Sequence, residues 1–278
     1  MTNQELAQAF QFEGPTRSNA YEPDWVIANM MGPNVMWLTE SLSQVMSLKP
    51  GMWVLDMGCG KAISSIFLAK EFGLQVWAAD LWIDPSDNLE RIRAFGLDDQ
   101  VFPIRVEAHD IPFASGFFDA IVSMDSYHYF GADDLYLRDR FSHLVKPGGQ
   151  IGIVVPGLAQ EVPSASIPEH LEPFWHSSFW SFHSPDWWRR NWERSEVVEV
   201  ERADLVPNGW KFWLTSEEVS AKWRDDEREK VVDEAALMRV DKGRYLGFTR
   251  TVARRIRAFD ERAAVGLAHF SAASIGAH

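Results

Sequence analysis

Apolar residues follow two rhythms along this chain. Trp53 to Met57, Gln75 to Asp80, Val101 to Glu107, Phe118 to Met124 and Gln150 to Val155 are short, nearly continuous apolar runs. Runs of that length suit strands buried on both faces, as strands of a parallel sheet are. Between them the apolar positions fall three and four apart, the spacing of one helical stripe. Val35, Met36, Leu38, Leu42, Val45 and Met46 do so within Asn34–Ser47, and helices are predicted over about Ala62–Phe72, Asp87–Phe95 and Asp133–Val145. Lys49-Pro50-Gly51, Gly73, Gly96 and Lys146-Pro147-Gly148-Gly149 supply the stops, with Gly73 placed as a C-cap. Strands alternating with helices predict an α/β fold, a doubly wound and mainly parallel sheet.

After Pro156 the rhythm breaks. Residues 157–183 carry Gly157, Pro163, Pro168 and Pro173 and little periodicity. Ser184-Pro185-Asp186 reads as an N-cap serine with proline at the first helical position. Val197–Val206 reads as a strand, followed by helices over about Ser216–Trp223, Asp226–Val240 and Arg244–Arg262. Gly266–Ile275 would return as the last strand, making about 207–262 a helical insertion near the C-terminus. Residues 1–24 are polar and broken by Gly14-Pro15 and Glu22-Pro23. The chain is therefore divided into an arm or lid over 1–33 and one domain over 34–278, with 157–183 and about 207–262 as candidate pocket or lid insertions.

Composition narrows the partners. A net charge of −13 opposes nucleic acid and anionic membrane surfaces, which need a basic footprint. No apolar run approaches the length of a membrane span. The single cysteine, Cys59, excludes an internal disulfide, and Met1-Thr2-Asn3-Gln4-Glu5 lacks the basic start of a signal peptide; the expected compartment is cytoplasmic. His170, His176 and His183 match no metal spacing, so no metal is expected.

The first strand ends in Asp56-Met57-Gly58-Cys59-Gly60-Lys61 and runs into a helix. Glycines at such a junction let the backbone approach a ligand, and the helix presents its N-terminal amides. A dinucleotide fingerprint wants a third glycine at position 63, which is Ile63. Asp80 ends the second strand, 24 residues after Asp56, where an acid accepts hydrogen bonds from ribose hydroxyls. Tyr127 and His128, grouped after the fourth strand, are the acid–base candidates for catalysis. Eight of the 13 tryptophans lie between Trp175 and Trp223, and most of them are expected to glue the insertion to the sheet.

Leu55-Asp56-Met57-Gly58-Cys59-Gly60, Asp80, Asp110, Phe118-Asp119-Ala120 and Leu144-Val145-Lys146-Pro147-Gly148-Gly149, in that order and spacing, resemble the class I S-adenosylmethionine (SAM) dependent methyltransferases. The similarity covers residues 35–157. It is nearest the small-molecule branch of quinone, sarcosine/dimethylglycine and cyclopropane-synthase-like enzymes. It implies a Rossmann-like seven-stranded sheet of order 3-2-1-4-5-7-6 with strand seven antiparallel. The implied cofactor is SAM, and the implied reaction is in-line methyl transfer to N, O or C of a small-molecule acceptor, aromatic or amine. On this resemblance Asp56 and Gly58 hold the methionine end, Asp80 the ribose, and Asp110 with Ile111 the adenine. Gly60, Lys61, Leu81, His109, Met124 and Asp125 complete the expected cofactor set, with Lys61 able to pair with the SAM carboxylate. Tyr21, Trp25 and Trp37 are candidate lid or pocket residues. A non-catalytic SAM-binding regulator and a NAD-dependent oxidoreductase are the alternatives; Ile63 opposes the second.

Overall fold

A computed structural model describes residues 5, 8–11, 16–163, 166–223 and 232–256. Its centre is one seven-stranded sheet in the order β3-β2-β1-β4-β5-β7-β6. The strands are β1 (Trp53–Met57), β2 (Gln75–Asp80), β3 (Val101–Arg105), β4 (Phe118–Met124), β5 (Val145–Leu158), β6 (Val198–Leu205) and β7 (Leu246–Arg255). β1 to β5 run parallel, and β7 lies antiparallel to both neighbours. This is the Rossmann-like order, with β7 antiparallel, that the resemblance implies.

The pleat sorts side chains to two cores. Val54, Val76, Val122 and Val154 face one side, where they meet Met36, Leu38, Ile66 and Phe67. Those residues come from α2 (Val35–Ser43) and α3 (Ile63–Phe72), which follows the first strand. Leu55, Ile121 and Ile153 face the other side with Trp188 and Trp192 of α5 (Pro185–Glu193). Both tryptophans are fully buried, so the expectation that they glue this region to the sheet holds for them. Ser184 caps α5 by accepting from Trp187 N, and Gly73 ends α3 at φ +65°. α1 (Pro23–Asn29) precedes α2, α4 (Pro85–Arg93) links β2 to β3, and α6 (Gly209–Trp223) and α7 (Glu234–Asp241) lie between β6 and β7.

Two readings need correction. The segment predicted as a helix over Arg244–Arg262 is β7, which ends at Arg255. It lies between β5 and β6 and is buried along nearly its whole length, so it shows no alternation. The helical insertion accordingly stops before Leu246, and the strand expected at Gly266–Ile275 lies outside the described residues. Arg250 is tolerated inside the sheet because Asp204 takes its guanidinium through two bonds (2.9 and 2.8 Å) and Ser41 O accepts a third at 2.7 Å. The helix expected over Asp133–Val145 shrinks to one wide π-type turn at Leu137–Phe141 and a 3₁₀ turn at Ser142–Leu144.

Candidate functional site

The C-terminal ends of β1, β2 and β4 and the loop after β3 meet at one cavity of about 350 Å³. That is within the ~300–1,000 Å³ typical of small-molecule sites, at the crevice where an open α/β sheet reverses its strand order.

The turn from β1 to α3 forms one wall. Gly58 N and Cys59 N both donate to Ala79 O (2.8 and 3.1 Å), which ties the turn to β2. Gly58 has φ +75°, and a Cβ on it would lie 1.9 Å from Ser126 Oγ. Only glycine lets the segment after β4 come that close. Cys59 is buried, and burial pushes its thiol well above the ordinary range, so it is no nucleophile. Asp56 is not on the wall. The pleat turns it towards α3, where the Ser64 and Ser65 hydroxyls donate to its Oδ2 at 2.5 and 2.6 Å. Its Oδ1 is buried without a hydrogen-bond partner among the described residues, and burial raises the carboxyl to about 6. The expectation that Asp56 touches the methionine end is corrected to a place beneath the turn.

Asp80 does face the cavity. Its Oδ2 accepts from Gly60 N at 2.8 Å, and its Oδ1 accepts from Trp82 N and Ile83 N at 2.8 and 3.0 Å. A carboxylate offers about four lone-pair sites, so it can still accept from a ligand. Leu81 and Trp82 flank it on the wall, with Trp82 68% exposed.

β3 ends at Arg105, two residues earlier than the apolar run predicts, so the loop begins at Val106. Val106, Glu107, Ala108 and His109 therefore line the cavity. Asp110 is exposed and Ile111 packs on the second core, and neither reaches the wall. The acid at this corner is Glu107. It accepts from His109 N at 2.9 Å and bonds His109 Nδ1 at 2.8 Å, contacts that hold its carboxyl below the usual range.

Met124, Asp125, Ser126, Tyr129 and Phe130 close the wall after β4. Tyr127 and His128, the sequence candidates for catalysis, do not. Tyr127 is fully buried among Phe141, Trp188 and Trp192, and burial pushes its hydroxyl far up. His128 is buried behind Tyr129, ring centroids 4.0 Å apart, and burial pushes it down to about 4. Neither the Tyr127 ring nor the His128 ring is part of the cavity wall. The two middle residues of this short turn, Tyr127 and His128, are turned away from the cavity, and Asp125, Ser126, Tyr129 and Phe130 are left on it.

The segment before β1 covers the remaining side through Asn29, Met31, Gly32, Pro33 and Val35. Lys61 Nζ donates to Ala28 O at 3.1 Å, and Arg91 bridges Asn29 to Asn88, whose amide donates to Gly60 O. Tyr21, Trp25 and Trp37 lie elsewhere. Tyr21 donates to Glu71, Trp25 packs on Phe95, and Trp37 sits between Phe10 and Phe212. Trp82 is the tryptophan on the wall. Among the described residues no three His, Cys, Asp or Glu side chains converge as metal ligands.

The structure thus brings together Gly58, Gly60, Lys61, Asp80, Leu81, His109, Met124 and Asp125. Sequence reasoning missed Glu107, Trp82 and Tyr129. The signal for Glu107 was Arg105, whose charge ends the apolar run one turn of loop before Asp110.

A family profile described as "Methyltransferase domain" matches residues 54–149. The chain is 29% identical over 134 residues to the methyltransferase GfsG of Streptomyces halstedii, covering 47% of this chain and 48% of that one. The chain thus spans about half the length of that relative. Its fold is similar to that of a putative sarcosine dimethylglycine methyltransferase from Galdieria sulphuraria, with TM-score 0.63, 17% identity, and coverage of 89% of this chain and 92% of that one. It is also similar to geranyl diphosphate C-methyltransferase from Streptomyces coelicolor, crystallised with Mg2+, geranyl diphosphate and S-adenosylhomocysteine (SAH), with TM-score 0.59, 19% identity, and coverage of 79% and 80%.

Proposed function

We propose that the chain is a class I SAM-dependent methyltransferase and that it transfers a methyl group from SAM to a small-molecule acceptor by in-line displacement. One arrangement carries this reading. A glycine turn and two acids, Asp80 and Glu107, surround a single cavity at the strand switch point. Two acids set at the ends of adjacent strands suit the diol and the amine of an adenosyl group. Asp80 accepts from the ribose hydroxyls. Glu107 accepts from the adenine amine while Ala108 leaves room for the ring, a role that passes to this pair from Asp110 and Ile111. Leu81 and Trp82 supply apolar cover. The turn at Gly58 and Gly60 takes the methionine end, with Lys61 near its carboxylate. Asp56 is a positioning residue that fixes α3 through Ser64 and Ser65.

When bound, SAM supplies an electrophilic methyl group on a sulfonium. The protein supplies alignment and a dry cavity. Ile63, which is 2% exposed, fills the place of the third dinucleotide glycine with a core side chain. That supports an adenosyl ligand over a dinucleotide. The relatives act on unlike acceptors by name, an amine for one and a prenyl diphosphate for another. The acceptor must therefore come from this chain's own residues. The test is methyl transfer from labelled SAM into pools of small metabolites. A labelled small-molecule product is expected, and its absence from every pool would favour the regulatory alternative.

A further inference from the structure

Residues 28–33 of the N-terminal arm form a strap beside the glycine turn, and Asn29, Met31, Gly32 and Pro33 line the cavity. The strap is anchored on both sides. Upstream, Glu40 of α2 accepts from Arg17 N, Ser18 N and Ser18 Oγ at 3.0, 2.8 and 2.7 Å. Downstream, Asn34 N donates to Ser216 Oγ of α6 at 2.9 Å. Between these anchors Met30 is buried, but Met31 is 50% exposed and Gly32 and Pro33 are half-buried. Met31 meets the turn directly, because a Cβ on Gly60 would lie 3.0 Å from its Sδ. Two cations reach the C-terminal end of α1, where the helix dipole favours positive charge. Lys61 Nζ donates to Ala28 O, and Arg91 of α4 makes a longer connection. Arg91 Nε donates to Asn29 Oδ1 and Nη1 to Asn88 Oδ1, both at 2.9 Å. Asn29 Nδ2 donates to Trp25 O at 2.8 Å, and Asn88 Nδ2 donates to Gly60 O at 2.9 Å. Each amide thus gives its oxygen to the guanidinium and its NH2 to a carbonyl, which fixes both. Gly60 N then donates to Asp80 Oδ2 at 2.8 Å, so one chain of hydrogen bonds joins the strap to Asp80. Neither Arg91 nor Asn88 lines the cavity.

We propose that Arg91 is a positioning residue for the methyl donor: it holds the strap against the glycine turn, so that SAM or SAH leaves only when the bridge from Asn29 to Asn88 opens. This rests on the methyl-transfer reading above, and it gives the arm the task of securing the donor. Both ends of the bridge belong to the donor site. Asn29 lines the cavity, and Gly60 lines it and bonds the carboxylate assigned to the ribose. The helix that carries Asn29 is docked without Arg91. Val26 and Ile27 are buried, and Trp25 packs edge-on against Phe95 with ring centroids 4.7 Å apart. Opening the bridge therefore frees residues 28–33 and leaves α1 in place. The planar guanidinium reaches two amides at once, whereas a lysine ammonium keeps the charge without that fork.

A chase of bound, labelled SAH with excess unlabelled SAH times its release from the full chain. Arg91→Ala should raise the off-rate about tenfold, the worth of a hydrogen bond to a charged group. Asn29→Ala should do the same, and the double variant should stay within about twofold of either single one, because both remove one bridge. Arg91→Lys should not restore the wild-type rate. Hydrogen exchange separates the bridge from a merely structural role. SAH should slow exchange of the amides at 28–32 in the wild type but not in Arg91→Ala, while it slows exchange at Gly58 and Gly60 in both. If Arg91→Ala does not fold, Asn29→Ala at the half-buried end of α1 carries both measurements. An off-rate within about twofold of wild type, additive single effects, or SAH protection of 28–32 that survives Arg91→Ala overturns the proposal alone. A wild-type protein that binds no SAH overturns the methyl-transfer reading and the proposal with it.

Discussion

Placing alanine at Gly58 tests whether the β1 turn and the segment after β4 are built as one unit. The new Cβ would lie 1.9 Å from Ser126 Oγ and 2.5 Å from Ser126 Cβ. Ordinary contact begins near 3.4 Å, so Ser126 must move by more than an ångström. Overpacking of that kind costs about 1–3 kcal/mol. Alanine at φ +75° adds about 1–2 kcal/mol. Gly58→Ala should therefore destabilise the fold by roughly 2–5 kcal/mol. Removing the obstacle with Ser126→Gly should return the packing part and leave only the backbone part, about 1–2 kcal/mol. Urea unfolding of both single variants and the double variant gives the coupling energy between the two positions. A coupling of at least about 1 kcal/mol in the rescuing direction is expected. Additive single effects, or a Gly58→Ala protein as stable as wild type, would refute the close approach.

Other outcomes follow from the same geometry. Asp80→Ala and Glu107→Ala should each weaken SAM binding by about 1.5–3 kcal/mol, the worth of hydrogen bonds to a charged group, whereas Asp110→Ala should leave it unchanged; calorimetry that finds Asp110→Ala the damaging one would restore the later register. Asp56, raised to about 6 when folded against about 3.9 unfolded, favours its protonated form in the native state. Its contribution is fully present below about pH 4 and is lost as pH rises through about 6, by at most about 3 kcal/mol. Asp56→Asn should remove that slope, and wild-type and variant stability curves that run parallel from pH 4 to 6.5 would show the carboxyl is not perturbed. Trp188→Ala should cost about 3–5 kcal/mol in thermal or urea unfolding because the ring is fully buried, while SAM affinity of the folded protein is unchanged.

The first five strands were legible because each is a buried run bounded by a turn, whereas their order in the sheet was implied only by the family resemblance. β7 was not legible. Its neighbours cover both faces, so period two vanishes, and Arg250, Arg254 and Arg255 imitate the charged face of a helix. Only the structure shows Asp204 and Glu201 waiting on β6 to receive the first two of them. The candidate site was legible where chemistry is tied to a strand end, as at Gly58 and Asp80. It slipped where the end itself was misjudged. Two residues of error in β3 moved the expected acid from Glu107 to Asp110. In the turn after β4, side-chain type suggested Tyr127 and His128, but direction decides the role. Tyr127 turns into a core of rings, and Asp125 and Tyr129 turn outward. No sequence period encodes that direction in so short a turn.

The cavity is proposed to take an adenosyl ligand ending in a sulfonium amino acid and not a dinucleotide. Titrating SAM and NAD separately into the wild-type protein by calorimetry tests it most directly. Saturable one-site binding of SAM and no measurable heat from NAD are expected. Saturable NAD binding, or a protein that binds no SAM, would contradict it.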